Sequence, residues 1–305
     1  MKPLVKGPNV RVTNIRAATC VNARLLPAPT HECETCDKVP GYPAPVRITA
    51  IVNQKGGVGK TATTVNVGGA LAELGYRVLL IDLDPQGHLT DALKIGVEWD
   101  GDGSLAAAMT GEWRGRVADL IVPHSRTESG QLDVIPTHPG MFTVARELDR
   151  LRAREERLSR VIADVGGYDH VLIDCPPALD ILTDNALVAA DGALVPVQAE
   201  DSSLHALRLL LAQIEAIEIE LRDTRLTLHG LVISMLDRGR GGRARSTIGR
   251  TVIAALEELP VPILATVPRS VVITEAWRLG QTVAQYAPTS EHAQAYRTIA
   301  KVLGS

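Results

Sequence analysis

Gln54-Lys55-Gly56-Gly57-Val58-Gly59-Lys60-Thr61 follows a largely apolar run, Arg47 to Val52, and opens a long segment of helical pattern. These residue types make a phosphate loop. Glycines at 56, 57 and 59 leave backbone N–H groups free to wrap an anion, and the N-terminus of the following helix adds partial positive charge. Lys60 brings a full charge to the outer phosphates of a nucleotide, and the Thr61 hydroxyl can ligate magnesium. The general pattern has a glycine five residues before Gly59, where this chain has Gln54, and it fixes no lysine at 55. That second lysine is the informative departure.

Outward from the loop, short apolar runs alternate with amphipathic segments. Strands are predicted near 47–52, 78–81, 132–135, 170–173, 193–197 and 229–234, with a further one near 262–266. Val78-Leu79-Leu80-Ile81 and Val171-Leu172-Ile173 are continuously apolar, as strands buried on both faces are. The expected fold is α/β: a three-layer sandwich whose mostly parallel central sheet is flanked by helices. Ligands of such sheets bind at the carboxyl ends of the strands, and Lys60, Asp84 and Asp174 each follow a strand. Between Phe142 and Val165, the residues Val144, Leu148, Leu151, Leu158, Ile162 and Val165 keep helical spacing, which predicts one surface helix with a buried stripe.

Two further stretches carry carboxylates: Leu80-Ile81-Asp82-Leu83-Asp84-Pro85-Gln86-Gly87 and Val171-Leu172-Ile173-Asp174-Cys175-Pro176-Pro177. An Asp that ends a buried strand beside a phosphate loop is the usual partner of magnesium, often through water. Asp174 is assigned that role. A carboxylate on a neighbouring strand can instead align a water with the terminal phosphorus, and this falls to Asp84. A lone strand-end Asp caps a helix at least as often; three motifs in this order favour the nucleotide. Cys175 is expected to be a packed small residue, since a reactive thiol needs a neighbouring base. His88 receives no role.

Lys55-Gly56-Gly57-Val58-Gly59-Lys60-Thr61, Asp82-Leu83-Asp84-Pro85-Gln86-Gly87 and Ile173-Asp174-Cys175-Pro176-Pro177 together resemble the ParA partition ATPases, among the deviant Walker A P-loop NTPases that also include the Min-system ATPase. The resemblance covers roughly residues 46 to 303. It implies ATP hydrolysis with Mg2+ in an ATP-dependent sandwich homodimer, where Lys55 reaches the partner's nucleotide much as an arginine finger does and Lys60 binds its own. Nucleotide contacts are expected from Lys55, Gly56, Gly57, Val58, Gly59, Lys60, Thr61, Ala62, Pro268 and Arg269, and catalysis from Lys55, Lys60 and Asp84. The metal would sit at Thr61 and Asp174. Ala62 stands where the family commonly has a second Thr or Ser, so a side-chain contact to the α-phosphate is missing, at a cost of roughly 1 kcal/mol. A ParB-like, centromere-binding partner would stimulate hydrolysis. The alternative is a Min-type or other positioning ATPase acting on a membrane or protein cargo; the terminal stripe Ala293, Tyr296, Ile299, Ala300 and Leu303 lacks the basic cluster and aromatic anchor of a lipid-binding helix.

Charge distribution locates the remaining surfaces. The 32 Lys and Arg nearly balance 35 Asp and Glu, so a basic surface must be local. Between 238 and 256 lie Arg238, Arg240, Arg243, Arg245 and Arg250 with glycines and no acid. Guanidinium forks on a glycine-spaced loop bind phosphates without reading bases, and the family's matching region contributes to DNA binding. Non-specific duplex DNA is therefore the expected ligand, with Arg269 a second candidate. A mobile solvated loop is the plainer alternative. Residues 1–45 hold seven prolines and no sustained apolar period, so they are expected to be a largely irregular extension, with the ATPase domain at 46–305. Cys33 and Cys36 have half the spacing of a zinc site, completed by Cys20 and His31; exposed reduced thiols are the alternative. With no secretory-type or membrane-spanning apolar run, the expected location is cytoplasmic and nucleoid-associated.

Overall fold

The computed structural model describes residues 45–96, 103–127, 130–242 and 244–305, apart from the side chain of Arg240. Among them, strands β1 (Arg47–Ile51), β2 (Arg77–Asp82), β3 (Val122–Arg126), β4 (Gln131–Ile135), β5 (His170–Asp174), β6 (Gly192–Val197), β7 (Thr227–Leu236) and β8 (Ile263–Pro268) form one sheet. Their order is β3-β4-β2-β5-β1-β6-β7-β8. All neighbours are parallel except β3 and β4. The expected sandwich is thus observed, with one strand added. β3 reads Val-Pro-His-Ser-Arg and has no apolar run; it lies at the sheet edge, where a proline without an N–H is tolerated.

Helices α1 (Lys60–Glu73), α2 (His88–Ala92), α3 (Leu105–Thr110), α4 (Met141–Leu148), α5 (Arg157–Ala163), α6 (Ile181–Ala189), α7 (Asp201–Glu220), α8 (Thr247–Glu257), α9 (Val272–Arg278), α10 (Val283–Tyr286) and α11 (Glu291–Gly304) complete the unit. Successive strand residues enter opposite cores. Leu79, Ile81, Val171 and Ile173 face one, lined by α3 to α8, while Val78, Leu80 and Leu172 face the other, under α1 and α11. The continuous apolar runs exist because both faces are covered.

The stretch 142–165 corrects the expected single helix. α4 stops at Leu148, Ala153 takes a left-handed φ of 47°, and a 3-10 turn at Arg154–Glu156 leads into α5. Asn185 of α6 makes the break tolerable: its amide donates to the Arg154 carbonyl at 2.9 Å and its oxygen accepts from the Leu158 N–H at 3.0 Å. Backbone groups released by the break are therefore satisfied from outside. The apolar stripe persists, with Val144, Leu148 and Leu158 fully buried.

α11 packs on α1 and β8 and buries Ala293, Tyr296, Ile299, Ala300 and Leu303. Its last turn is held by Arg47, which donates to the Leu303 carbonyl at 2.8 Å, and by the Tyr76 hydroxyl, which donates to the Gly304 carbonyl at 2.9 Å. Among the described residues no helix is long and apolar enough to cross a membrane.

Two glycines let α1 sit deep. A Cβ on Gly68 would lie 2.7 Å from Leu80 Cδ2, and one on Gly69 would lie 2.8 Å from Thr282 Cβ, next to the backbone that caps α10. Alanine is worth about 1 kcal/mol over glycine in a free helix. Overpacking of a core costs typically 1–3 kcal/mol, and Thr282 cannot swing away because its capping box fixes it. Gly69→Ala is therefore expected to destabilise the protein by about 1 kcal/mol or more, read as a lower urea midpoint; an unchanged or higher midpoint would show that the helix interface has slack.

Candidate functional site

The loop joining β1 to α1 is built by backbone conformations that few residues other than glycine adopt. Gly57 and Gly59 have φ of 71° and 89°, Gly59 being the residue before α1. Asn53, buried at the end of β1, donates to the Pro196 carbonyl at 2.7 Å and accepts the Lys55 N–H at 2.9 Å. Gln198 donates to the Gly57 carbonyl at 3.1 Å. Val58 is buried. The loop is thus anchored to β6 and its following residues before any ligand arrives.

Beneath it, Thr61 Oγ1 donates to Asp174 Oδ2 at 2.7 Å, and Thr64 Oγ1 lies 3.2 Å from Asp174 Oδ1. Lys60 is buried and its Nζ lies 3.3 Å from the Lys55 carbonyl. A hydroxyl and a carboxylate side by side at a helix N-terminus suit a hard divalent cation, and beside Gly57, where an added Cβ would meet nothing within 4 Å, there is space for phosphate oxygens. The residues present therefore fit a magnesium nucleotide. Ala62 has no substitute: the Thr63 and Thr64 hydroxyls bond the Gly59 and Lys60 carbonyls one turn back.

Asp82 and Asp174 are register partners on adjacent strands, so their carboxyls share one buried space. Burial, then the Asp82 charge, pushes Asp174 up to about 8, against its Thr61 bond and Lys60. Burial pushes Asp82 up to about 6, against two bonds from Thr90. Burial lowers Lys60, opposed by Asp174 above all. Asp84 lies on the turn after β2, nearly buried, and its Oδ1 accepts the Gln86 N–H at 2.9 Å. Cys175 is buried and burial pushes its thiol up, which removes it as a nucleophile. His88 is an exposed first residue of α2.

Lys55 is engaged within its own chain: Nζ lies 2.5 Å from Glu200 Oε2 and 2.9 Å from Ser202 Oγ, at the start of α7. Glu200, Ser202, Gln198, Asn53 and Thr64 are site residues that the motifs did not flag. Glu200 and Ser202 lie 145 and 147 positions away along the chain, and only the adjacency of β1 and β6 reveals them.

The basic loop leaves the same end of the sheet, after β7. It closes on itself through a bridge between Arg238 and Ala244 and a bond from the Arg245 N–H to the Asp237 carbonyl. Arg238 pairs with Glu291 at 2.6 Å. Arg250 folds back onto the Ala244 and Arg245 carbonyls and so braces the loop. Arg245 is exposed. Arg243 and the Arg240 side chain lie outside the described residues, as do Cys20, His31, Cys33 and Cys36. Pro268 and Arg269 end β8, with the Arg269 N–H bonded to the Leu236 carbonyl at 3.0 Å and Pro268's carbonyl 3.1 Å from His292 Nε2.

Residues 46–227 match the family described as AAA domain. The sporulation initiation inhibitor protein Soj of Bacillus subtilis is 38% identical over 259 residues, covering 84% of this chain and 97% of Soj. The chromosome partitioning protein ParA of Caulobacter vibrioides is 39% identical over 260 residues, covering 84% of this chain and 93% of its own. Among solved structures, a Mycobacterium smegmatis protein titled cobyrinic acid a,c-diamide synthase, with bound ADP and magnesium, superposes with a TM-score of 0.67 at 31% identity, covering 84% of this chain and 93% of that one.

Unfolded carboxyls release their protons near pH 4, whereas folded Asp82 and Asp174 hold theirs to about 6 and about 8. Their contribution to stability is therefore complete at low pH and is lost as pH rises through those values. The nucleotide-free, magnesium-free protein is expected to have a lower urea midpoint at pH 8.5 than at pH 6.0, with Asp174→Asn flattening the difference. A midpoint that rises over that interval, or an equal slope in the variant, would contradict the shared burial.

Proposed function

We propose the following for this chain, which belongs to the AAA domain family and within it to the ParA-type partition ATPases: it hydrolyses ATP with magnesium, dimerises around the nucleotide, coats DNA without sequence preference, and segregates a chromosome or plasmid. The observation that carries it is the meeting of Lys55, Lys60, Thr61, Asp84 and Asp174 at the carboxyl ends of β1, β2 and β5. Backbone N–H groups from Gly56 to Ala62, including Val58, and Lys60 would hold the phosphates, while Pro268 and Arg269 would flank the base. Thr61 and Asp174, the latter through water, would hold magnesium, which supplies charge neutralisation at the outer phosphates. Asp84 would align the attacking water.

Lys55 would cross to the partner subunit's nucleotide. Its pairing with Glu200 does not oppose this, because the pair is partly exposed and such pairs are worth about 0–1 kcal/mol. A phosphate in a closed, dry interface is a stronger partner for the same ammonium. Arg238, Arg240, Arg243, Arg245, Arg250 and Arg269 would supply the DNA surface, with Arg250 contributing by shaping the loop. A ParB-like partner would stimulate hydrolysis and release the protein from the nucleoid in the cytoplasm. Residues 1–45 would be an extension preceding the ATPase domain, with zinc at Cys20, His31, Cys33 and Cys36 as a candidate ligand.

The direct test is the ATPase rate with and without duplex DNA and the partner; a low basal rate that neither raises would count against partition. Lys55→Ala is expected to keep ATP binding, to lose the ATP-dependent dimer in sedimentation, and to lose hydrolysis by roughly 100-fold or more. Lys60→Ala should lose ATP binding itself. If both variants dimerise with ATP as the unmodified protein does, the cross-subunit role of Lys55 is wrong. Replacing Arg238, Arg240, Arg243 and Arg245 with alanine should abolish salt-sensitive duplex binding while nucleotide still binds; unchanged DNA affinity would remove the loop from the DNA surface.

A further inference from the structure

The turn Asp84-Pro85-Gln86-Gly87 is fixed at both ends, on the strand side by a bond to β5 and on the helix side by bonds that do not involve the phosphate loop. On the strand side, the Leu83 N–H donates to the Asp174 carbonyl at 3.1 Å. On the helix side, α2 begins after Gly87, which is left-handed and has no side chain to cap the helix. Asp82 takes over the capping: its Oδ2 accepts the Thr90 N–H at 2.9 Å and the Thr90 hydroxyl at 2.6 Å. That hydroxyl also accepts the Thr137 N–H at 3.2 Å, from the loop that follows β4. Thr90 therefore donates one hydrogen bond and accepts another, and it joins β2, α2 and the loop after β4 at a single oxygen. Asp82 and Thr90 are both buried, so neither bond can be exchanged for water without cost. Gly87 packs into the same junction, where an added Cβ would stand 3.0 Å from Thr137 Cγ2.

We propose that Thr90 and Asp82 are positioning residues for hydrolysis: together they hold the turn that carries Asp84, and so fix where Asp84 presents its carboxylate to the attacking water. This deepens the ATPase reading and rests on it. Thr90 bonds Asp82 and Thr137 and acts on hydrolysis through Asp84. A catalytic group displaced by about 1 Å can lose roughly 100-fold in rate, so a small relaxation of the turn is enough to be seen in kcat. Nucleotide affinity is expected to come from the loop before α1, whereas the hydrogen bonds of Thr90 go to Asp82 and Thr137.

The test compares Thr90→Val, which keeps the shape and removes the hydroxyl, with Thr90→Ser, which restores it. In Thr90→Val, kcat is expected to fall by about 10- to 100-fold with KM and fluorescent-nucleotide affinity within about twofold, and Thr90→Ser is expected to recover most of the rate. In an Asp84→Asn background Thr90→Val should lower the residual rate no further, because the residue through which it acts is already disabled. Amide hydrogen exchange over residues 84–91 should quicken in Thr90→Val and stay unchanged in Thr90→Ser; this readout is independent of turnover. If the unmodified protein hydrolyses no ATP, the ATPase reading fails while the exchange comparison still decides the clamp. A Thr90→Val protein with unmodified kcat and exchange overturns the proposal. So does a loss that adds fully to that of Asp84→Asn, or one that Thr90→Ser does not repair.

Discussion

Three carboxyl groups, Asp82, Asp84 and Asp174, are brought together by the parallel pairing of β2 with β5, in a space that excludes most water. Lys60 is the positive group whose charge bears on Asp174 there. Like charges so placed are costly in the folded chain, and burial raises that cost further. The hydroxyls of Thr61, Thr64 and Thr90 reduce it by hydrogen bonding, without supplying charge. A divalent cation at Thr61 and Asp174, as proposed, would reverse the local electrostatics. The phosphate loop, the turn after β2 and the start of α2 are all arranged around that one concentration of negative charge.

The polar contacts at this end of the molecule fall into two kinds. Those of Asp174 with Thr61 and of Asp82 with Thr90 engage fully buried carboxyls, and losing a partner there leaves an unsatisfied group at a cost of about 1–3 kcal/mol. Those of Lys55 with Glu200 and of Arg238 with Glu291 involve exposed carboxylates and are worth about 0–1 kcal/mol. Fixed geometry is thus found at the residues proposed to place the metal and the attacking water. The cations that would meet a second subunit or a DNA strand are held by contacts weak enough to trade.

Sequence pattern revealed what depends on local chemistry. The strands with apolar runs, the glycines at 57 and 59 and the terminal stripe of α11 all follow from neighbours within a few residues. β3 escaped because an edge strand need not be apolar. The break near Ala153 escaped because its compensation comes from Asn185, about thirty residues later, whose amide reads as ordinary helix polarity. Glu200 escaped for a related reason, since strand order brings β6 beside β1 and no single stretch of sequence encodes adjacency. Thr90 escaped because a threonine in the first turn of α2 reads as ordinary helix polarity, and its second partner, Thr137, arrives through β4. The phosphate loop was legible as a motif, whereas the residues that brace it were not.

The grip of Arg47 and Tyr76 on the last turn of α11 has a topological consequence. Arg47 is the first residue of β1, so the entry to the sheet and the end of α11 are side by side, at the amino ends of the strands and away from the phosphate loop. The unit from 45 to 305 is thus nearly a closed ring of chain, with its seam at that end of the sheet. A short peptide across that seam would close the ring, and the chain could then be reopened at a surface turn elsewhere without cutting a strand of the sheet. The same seam is where an appended domain or label can be attached with the least interference at the working edge.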